Sequence, residues 1–289
     1  MKAPAFAHVK PSSLPEVFEL LEHHGDEARI LAGGQSLVAA LNMRLLAPAV
    51  LIDINGLSGL DGICVSDDVI RIGALTRHRV LERSGEIARY LPLIAEAMPH
   101  VAHPAIRNRG TFGGSLAFAD PAAELPACSV ALNAVFVLAS RAGERRVHAR
   151  DFFVSLYTTA LEPHEVLIAA EFPVQPAHTR SVFLELARRR GDYAIVGVAA
   201  CGVYEEQRFS DVSLVFFGIG ATPVLARNVA ATLAGYAYSQ DLVAAAQAVV
   251  ANDITPDADL YQSAATKLHL ARVLAGRAIS ELARPRMVN

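Results

Sequence analysis

The N-terminal part of the chain alternates between helical and extended hydrophobic patterns. Apolar positions recur at helical spacing over residues 14–21, and Gly25 ends this predicted helix. Two short apolar runs, 29–32 and 50–54, predict strands. A second helix between these strands is expected to carry leucines on one face and to end at Pro48. This segment therefore predicts a small helix–strand–helix–strand unit.

The middle of the chain has a different pattern, dominated by short strands. Hairpins are predicted over 63–72 and 135–148, where apolar runs flank polar turn sequences, and a strand is predicted over 166–172. The intervening segments predict two helices and one irregular stretch: a helix capped by Thr76 that runs to about Ile94 with a break near Pro92, irregular glycine-rich residues 103–119, and a helix over 122–132.

The last third predicts strands followed by helices. The strands are expected over 182–187, 195–204 and 212–219, and the helices over 223–235, 239–251 and 258–283. Pro173 and Pro176 close the preceding strand, which places a domain boundary near residue 177. We therefore predict an α+β protein in two domains. The first is 1–176, with an α/β part over 1–55 and a mixed β part over 56–176, and the second is 177–289, a three-stranded antiparallel sheet with helices.

Composition narrows the classes of protein to consider. Of the 289 residues, 53% are hydrophobic and 19% are charged, which excludes a disordered chain. The formal net charge of −3 argues against a dedicated nucleic-acid binder, which needs a basic face. No apolar stretch approaches the roughly 20 residues of a membrane span, and the N-terminus has no apolar signal core. We expect a cytoplasmic protein.

The candidate metal ligands do not form a site. Cys64, Cys128 and Cys201 are far apart and form no CxxC pair, so no disulfide framework, zinc site or iron–sulfur cluster is expected in this chain. His100 and His103 lack a third ligand at a fitting spacing, which favours a structural role. No catalytic base or nucleophile can be assigned either. The arginine run 188–190 has two possible explanations: it is a solvated strand end, or it has a role at an interface or beside a flavin.

Two glycine-rich segments carry the candidate chemistry. The first is Ala32–Leu37, between a predicted strand and a predicted helix, and the second is Gly110–Leu116. Glycines let a backbone turn with positive φ and approach a ligand closely. Consecutive N–H groups can then converge on an oxyanion, and a helix that begins there adds its dipole. The pair predicts a site for the two phosphates of a dinucleotide, although for either segment alone a tight turn is the commoner explanation.

Neither segment is one of the common nucleotide-binding fingerprints. There is no GxGxxG after a strand, and no GK[ST] of a P-loop. Each segment does contain hydroxyl side chains that could donate to a phosphate: Ser36, Thr111 and Ser115.

Further motifs accompany the glycine segments in order along the chain. They are Lys2–Phe6, Ile106–Ser115, Asp120–Pro126 and Gly191–Ala194. Together they resemble the FAD-binding medium subunit of the molybdenum hydroxylases, which include the carbon monoxide dehydrogenase and xanthine dehydrogenase families and N-heterocycle hydroxylases such as quinoline 2-oxidoreductase. The resemblance covers nearly the whole chain. It implies FAD as cofactor and a two-part FAD domain of the vanillyl-alcohol-oxidase (PCMH) type, followed by the C-terminal domain.

The resemblance also implies which residues bind FAD. In the family, the stretches that match Ala32–Ser36 and Thr111–Ser115 hold the pyrophosphate. The residue matching Glu124 contacts the adenosine or ribityl side of FAD. The residue matching Leu167 packs near the isoalloxazine, and the residue matching Tyr193 lies beside the flavin ring. Ser115 departs from the Asn or Asp common there, so a weaker or backbone-only contact is expected. The full implied set is Ala32, Gly33, Gly34, Gln35, Ser36, Leu37, Thr111, Phe112, Gly113, Gly114, Ser115, Glu124, Leu167 and Tyr193.

The resemblance further implies a division of labour in a dimer of heterotrimers. A large partner subunit hydroxylates the substrate at a molybdenum–pterin cofactor, and electrons reach FAD in this chain through two 2Fe–2S clusters of a small partner subunit. An N-heterocycle or purine-like substrate is favoured over carbon monoxide. Two alternatives stay open: a self-sufficient flavin oxidase or dehydrogenase, which needs a base or nucleophile of its own, and a non-catalytic module that retains the fold and is colourless.

Overall fold

The protein is described here by a computed structural model that covers residues 2–176 and 178–284. The predicted domain boundary at residue 177 lies outside the described residues. The strands are β1 (Ala7–Val9), β2 (Ala28–Leu31), β3 (Val50–Asp53), β4 (Ile63–Val65), β5 (Val69–Gly73), β6 (Val135–Ser140), β7 (Gly143–His148), β8 (Phe153–Ser155), β9 (Thr158–Thr159), β10 (Val166–Pro173), β11 (Thr179–Ala187), β12 (Ala194–Glu205), β13 (Arg208–Phe217) and β14 (Val224–Leu225).

The helices are mostly short in the first half of the chain and longer in the second. They are α1 (Leu14–His24), α2 (Leu37–Asn42), α3 (His78–Arg83), α4 (Gly85–Tyr90), α5 (Pro92–Ala97), α6 (Pro104–Arg107), α7 (Phe112–Phe118), α8 (Glu124–Ala131), α9 (Ala149–Phe152), α10 (Arg227–Leu233), α11 (Gln240–Asp253) and α12 (Ala264–Ala283). Among the described residues, none of these helices combines the length and apolar character needed to cross a membrane.

The first layer is a parallel sheet with strand order β1-β3-β2. The helix α1 begins at Ser13, whose hydroxyl accepts a hydrogen bond from the backbone N–H of Glu16, and it ends at Gly25 with φ +48°. Its buried residues Val17 and Phe18 belong to the same apolar cluster as the sheet. The predicted helix–strand–helix–strand unit is thus present, with β1 added: this strand is three residues long and largely exposed, so it has no hydrophobic pattern.

The second layer is an antiparallel sheet with strand order β4-β5-β10-β6-β7. Both predicted hairpins, β4–β5 and β6–β7, are confirmed. The central strand β10 is buried on both faces, because Val166 and Ile168 pack toward the first layer while Leu167 and Ala170 join the core formed with α5, α7 and α8. This strand therefore connects the two parts of the N-terminal region.

The C-terminal sheet is antiparallel with strand order β11-β12-β13-β14. The three predicted strands are present, and the two-residue strand β14 makes a fourth. One face of the sheet packs on α10, α11 and α12. The opposite face contributes Phe183, Ala199 and Phe217 to the core of the N-terminal region. The two predicted domains therefore share a continuous hydrophobic core.

Several predicted helix ends are wrong. The helix α2 ends at Asn42 rather than Pro48, because Arg44 adopts φ +58°, and Leu45 is 70% exposed instead of lying on a buried face. Thr76 does not cap a helix, since its hydroxyl oxygen accepts from Gly62 N–H. The helix predicted to run to about Ile94 is three helices. The predicted break near Pro92 is confirmed, because α5 begins at that proline, but a second break was missed, because the hydroxyl of Ser84 caps a new helix at the N–H of Ile87.

Two further segments differ from the sequence predictions. Residues 103–119, expected to be irregular, form the helices α6 and α7, which begin at Pro104 and after the cap residue Thr111. The helix predicted from residue 258 begins only at Ala264, and Leu260, within the predicted span, is 94% exposed. Capping residues set these helix boundaries, and the periodicity of apolar positions does not indicate where such caps lie.

Candidate functional site

The first glycine loop connects β2 to α2 and presents unpaired backbone donors. Gly34 adopts φ +72°, which a glycine tolerates without strain. Within the described residues, no protein acceptor receives the N–H groups of Gly33, Gly34, Gln35 or Ser36. The Gln35 side chain instead donates back to the carbonyl of Gly33 at 3.0 Å, which stabilises the turn. Consecutive free N–H groups of this kind suit an oxyanion ligand.

The second glycine segment differs from the first because the N–H groups of Phe112–Ser115 are already paired within the protein. Phe112 and Gly113 donate to the carbonyls of Thr76 and Ala74, each at 2.8 Å. Gly114 donates to Thr111 Oγ1, and Ser115 donates to the Thr111 carbonyl. We expected N–H groups of both segments to converge on phosphates. The structure commits those of Phe112–Ser115 to the start of α7 and to its contact with Ala74 and Thr76, just after β5.

The two glycine segments touch through their backbones. A Cβ atom on Gly33 would lie 2.7 Å from the carbonyl oxygen of Arg109 and 2.8 Å from Cα of Gly110, closer than real contacts allow. The reason for glycine at this position is therefore the neighbouring loop. At Gly114 an added Cβ would meet Thr111 Oγ1 at 2.6 Å, so that glycine serves the helix cap.

Asn55 and Arg77 bridge the two segments, and no motif in the sequence indicated either residue. The Asn55 side chain donates to the carbonyl of Ala32 at 2.7 Å and accepts from Arg77 Nη2 at 2.7 Å. Arg77 also donates to the carbonyl of Arg109. Burial, with the nearby charges of Arg109 and Arg79, lowers the pKa of Arg77, which shows that several cations lie close to the loops. Such a positive field favours a phosphate ligand.

His78 supports the second segment from behind. Its Nε2 lies 2.9 Å from the carbonyl of Thr111, and its backbone N–H donates to the carbonyl of Gly110. Burial lowers the pKa of His78 to about 4, so the ring is neutral at pH 7 and Nε2 carries the hydrogen that it donates. A buried neutral histidine is thus a structural support for this loop.

The remaining predicted site residues differ widely in exposure. Phe112 is fully buried against Phe172, with ring centroids 6.1 Å apart, so its side chain is a core residue and is not available to a ligand. Leu167 is also in the core, at 5% exposure. Glu124 is the buried first residue of α8, and burial raises its pKa to about 7. Tyr193 is 70% exposed.

An aromatic and acidic cluster surrounds Glu124 and Tyr193. Asp120 directly follows α7 and its left-handed end residue Ala119, and burial raises its pKa. The hydroxyl of Tyr157 lies 3.5 Å from Asp120 Oδ2. Partial desolvation and the charges of Asp120 and Glu124 raise the pKa of Tyr193, so the three groups are close enough to interact. Tyr157, from the β8–β9 hairpin, was missed because it is far away in sequence.

The helix α7 connects the two parts of the candidate site. Thr111 caps its beginning and Asp120 follows its end. Seven helical residues at 1.5 Å each span about 10 Å. Among the described residues, no group of three or more His, Cys, Asp and Glu side chains could hold a metal ion. The arrangement therefore suits an elongated ligand with phosphates at one end and a planar group at the other.

The fold and the glycine loops define the class of flavoproteins to which this chain belongs. Residues 4–175 match the family model described as the FAD binding domain in molybdopterin dehydrogenase. Residues 181–282 match the CO dehydrogenase flavoprotein C-terminal domain. The chain therefore belongs to the family of FAD-binding medium subunits of molybdenum hydroxylases, as the resemblance in sequence implied.

Individual relatives align over nearly their full length. The 6-hydroxypseudooxynicotine dehydrogenase complex subunit alpha of Paenarthrobacter nicotinovorans is 38% identical, with 97% of this chain and 95% of the relative covered. A structure of carbon monoxide dehydrogenase from Hydrogenophaga pseudoflava has TM-score 0.94 and 35% identity, covering 97% and 98% of the two chains. Quinoline 2-oxidoreductase from Pseudomonas putida 86 has TM-score 0.92 and 37% identity, covering 98% of each.

Proposed function

We propose that this chain passes electrons, through bound FAD, from iron–sulfur clusters of a partner subunit to an external acceptor. The observation that carries the proposal is the first glycine loop, where four consecutive N–H groups have no acceptor in the described part of the chain and lie beside a group of arginines. That loop lies within the segment matched by the FAD-binding family model. When bound, FAD supplies the redox chemistry, and the protein supplies position and electrostatics.

The chain's own residues divide the binding of FAD between two places. The N–H groups of Gly33–Ser36 bind the pyrophosphate, with the hydroxyls of Thr111 and Ser115 as further donors. Asn55 and Arg77 hold the two loops together through the hydrogen bonds described above. This assignment gives the second segment a largely supporting role, because the N–H groups of Phe112–Ser115 serve the fold.

At the other end of α7, acidic and aromatic groups hold the flavin. Glu124 accepts hydrogen bonds from the cofactor, and the exposed ring of Tyr193 covers one side of the isoalloxazine. Tyr157 lies beside Asp120 at the same edge and completes this side of the site. Leu167 supports the ring only from within the core, because little of its side chain is exposed.

The partners in this proposal are a small iron–sulfur subunit and a large subunit that carries the molybdenum–pterin cofactor, assembled as a dimer of heterotrimers in the cytoplasm. The relative from Paenarthrobacter nicotinovorans is named as a subunit of a dehydrogenase complex, which supports a heteromeric assembly. Quinoline 2-oxidoreductase is named for a heteroaromatic compound. We therefore propose a heteroaromatic substrate, chosen by the large subunit.

Reconstitution tests the proposal against a self-sufficient flavin oxidase. The isolated chain should be yellow and release non-covalent FAD when denatured. With candidate N-heterocycles and an artificial acceptor, it should show no substrate-dependent flavin reduction until the partner subunits are added. Flavin reduction by substrate in the chain alone would refute the relay and favour the oxidase. A colourless protein that cannot be loaded with FAD would favour the non-catalytic module.

A further inference from the structure

The loop between β11 and β12 rests on the N-terminal region. We call it the tyrosine loop, residues 188–193, because its last residue is the tyrosine that we assign to the flavin. The backbone N–H of Asp192 donates to the carbonyl of Arg189 at 3.2 Å and closes a turn, in which Gly191 adopts φ +77°. A Cβ atom on Gly191 would lie 2.9 Å from the carbonyl oxygen of Ala102. The turn therefore packs closely against the segment that precedes α6.

Asp192 orders the tyrosine loop from within. Its side chain is only 17% exposed, and its Oδ1 accepts a hydrogen bond from the backbone N–H of Tyr193 at 3.1 Å. Its Oδ2 lies 3.7 Å from Nη2 of Arg188 and 3.5 Å from Nε of Arg189. Arg188 and Tyr193 therefore interact with the same carboxylate, so the position of one depends on the position of the other.

Arg188 also contacts a residue outside the tyrosine loop. Its Cζ atom lies 4.6 Å from the centroid of the Tyr261 ring. Tyr261 is 69% exposed and belongs to the connection between α11 and α12. A guanidinium over an aromatic face at this distance is a cation–π contact. The tyrosine loop is therefore held by a second contact, separate from the packing of its glycine.

Tyr261 is itself fixed to the rest of the protein. Its backbone N–H donates to Oδ1 of Asp259 at 2.7 Å, and Oδ2 of Asp259 lies 2.9 Å from Nζ of Lys267. Lys267, on α12, is only 6% exposed and also donates to the carbonyl of Gly218 at 3.2 Å. The N–H of Gly218 donates to the carbonyl of Pro121 at 2.8 Å. Hydrogen bonds thus connect this ring to the segment between α7 and α8, where we place the flavin end of the site.

We propose that Arg188 and Tyr261 form a clamp that positions Tyr193 beside the isoalloxazine of bound FAD. The inference rests on the proposed function, because that function assigns Tyr193 to the flavin. Arg188 and Tyr261 are positioning residues, since they act through Asp192 and the tyrosine loop. A loop that is already held in its binding conformation loses less freedom when FAD binds. Without the clamp, the ring is in place in only part of the population, and the apparent dissociation constant of FAD rises accordingly.

FAD binding and the flavin absorption spectrum test the clamp in the loaded chain. Tyr261→Leu removes the aromatic face, whereas Tyr261→Phe retains it. We expect Tyr261→Leu to raise the dissociation constant of FAD by about two- to fivefold, as for an exposed cation–π contact, and to change the spectrum in the same direction as Tyr193→Ala. Tyr261→Phe should restore both properties. In a Tyr193→Ala background, Tyr261→Leu should have no further effect, because the ring that it positions is gone. A further change of the same size there would overturn the clamp.

The apoprotein tests the tyrosine loop without FAD. The chain has no tryptophan, so Tyr193→Trp introduces a single fluorescent probe at the end of the loop. Its time-resolved fluorescence anisotropy measures side-chain and loop motion on the nanosecond timescale. Adding Tyr261→Leu should make the anisotropy decay faster, whereas adding Tyr261→Phe should not. Tyr236→Leu is the matched control: Tyr236 is 61% exposed, and in the part of the chain that the structure describes no arginine lies over its ring. An equal decay with and without Tyr261→Leu would overturn the clamp.

The two measurements distinguish failure of the clamp from failure of the proposed function. If Tyr261→Leu leaves the probe immobile but Tyr193→Ala alters the flavin spectrum, the clamp is refuted and the proposed place of Tyr193 is supported. If Tyr261→Leu frees the probe but neither variant alters FAD affinity or the spectrum, Tyr193 lies away from the flavin. That result refutes the proposed place of Tyr193 and, with it, the action of the clamp on the cofactor.

Discussion

A methyl group at Gly33 should separate the two glycine segments and weaken FAD binding. In Gly33→Ala the new Cβ would lie 2.7 Å from the carbonyl oxygen of Arg109, whereas ordinary contacts begin near 3.4 Å. The difference, 3.4 − 2.7, requires a movement of about 0.7 Å. The obstructing atoms are backbone, so no side chain can rotate away. Overpacking of this kind costs about 1–3 kcal/mol of stability.

The same movement displaces the four N–H groups that we assign to the pyrophosphate. Losing one hydrogen bond to a charged group costs about 1.5–3 kcal/mol. That corresponds to roughly a 10- to 150-fold higher dissociation constant for FAD. Titration of FAD into the apoprotein, followed by flavin fluorescence, gives the constant, and thermal unfolding of the same apoprotein gives the stability.

Gly56→Ala is the matched control. Gly56 directly follows Asn55, has no positive φ, and an added Cβ there would meet no atom within 4 Å. This variant should bind FAD with the affinity of the wild type. If Gly33→Ala lowered the unfolding temperature but left FAD affinity unchanged, the first loop would not be the pyrophosphate site.

Two further predictions concern His78 and Tyr193. The pKa of His78 is about 4 in the folded chain against an ordinary 6.5, so its contribution to stability is present above pH 6.5 and is lost as pH falls toward 4. In urea unfolding, the wild type should have a higher free energy of unfolding than His78→Gln, and this difference should shrink by about 2–3 kcal/mol between pH 7 and pH 4.5. An equal difference at both pH values would contradict this. Tyr193→Ala should alter the flavin spectrum or potential while changing the unfolding temperature little, because the ring is 70% exposed; an unaltered flavin would mean that Tyr193 lies away from it.

The sequence predicted those parts of the fold that a local pattern specifies. The hairpins and α1 were predicted because apolar periodicity, turn residues and caps agree there. In the helix predicted from Thr76 to Ile94, the break near Pro92 is confirmed, but the continuous helix before it was wrong because Ser84, an ordinary polar residue in the pattern, caps a new helix. Strand β1 was missed because pairing with β3, and not burial, forms it.

The candidate site shows the same limit. Its glycine loops could be found because paired glycines are visible in a sequence, but the different use of their N–H groups depends on Ala74 and Thr76, far away along the chain. Asn55 acts through a contact with Ala32, and Tyr157 through one with Asp120. Only the folded chain brings these pairs together, so no local pattern could have indicated them.

The core shared between the two halves of the chain limits how such subunits can be recombined. Phe183 and Phe217 of the C-terminal sheet are packed among residues of α5 and α8. A chimaera that joined the first half of one relative to the second half of another would bring together surfaces that never evolved against each other. Voids or overlaps at that seam would cost several kcal/mol. Exchange between relatives should therefore succeed only when α5, α8 and the inner face of the sheet are exchanged together.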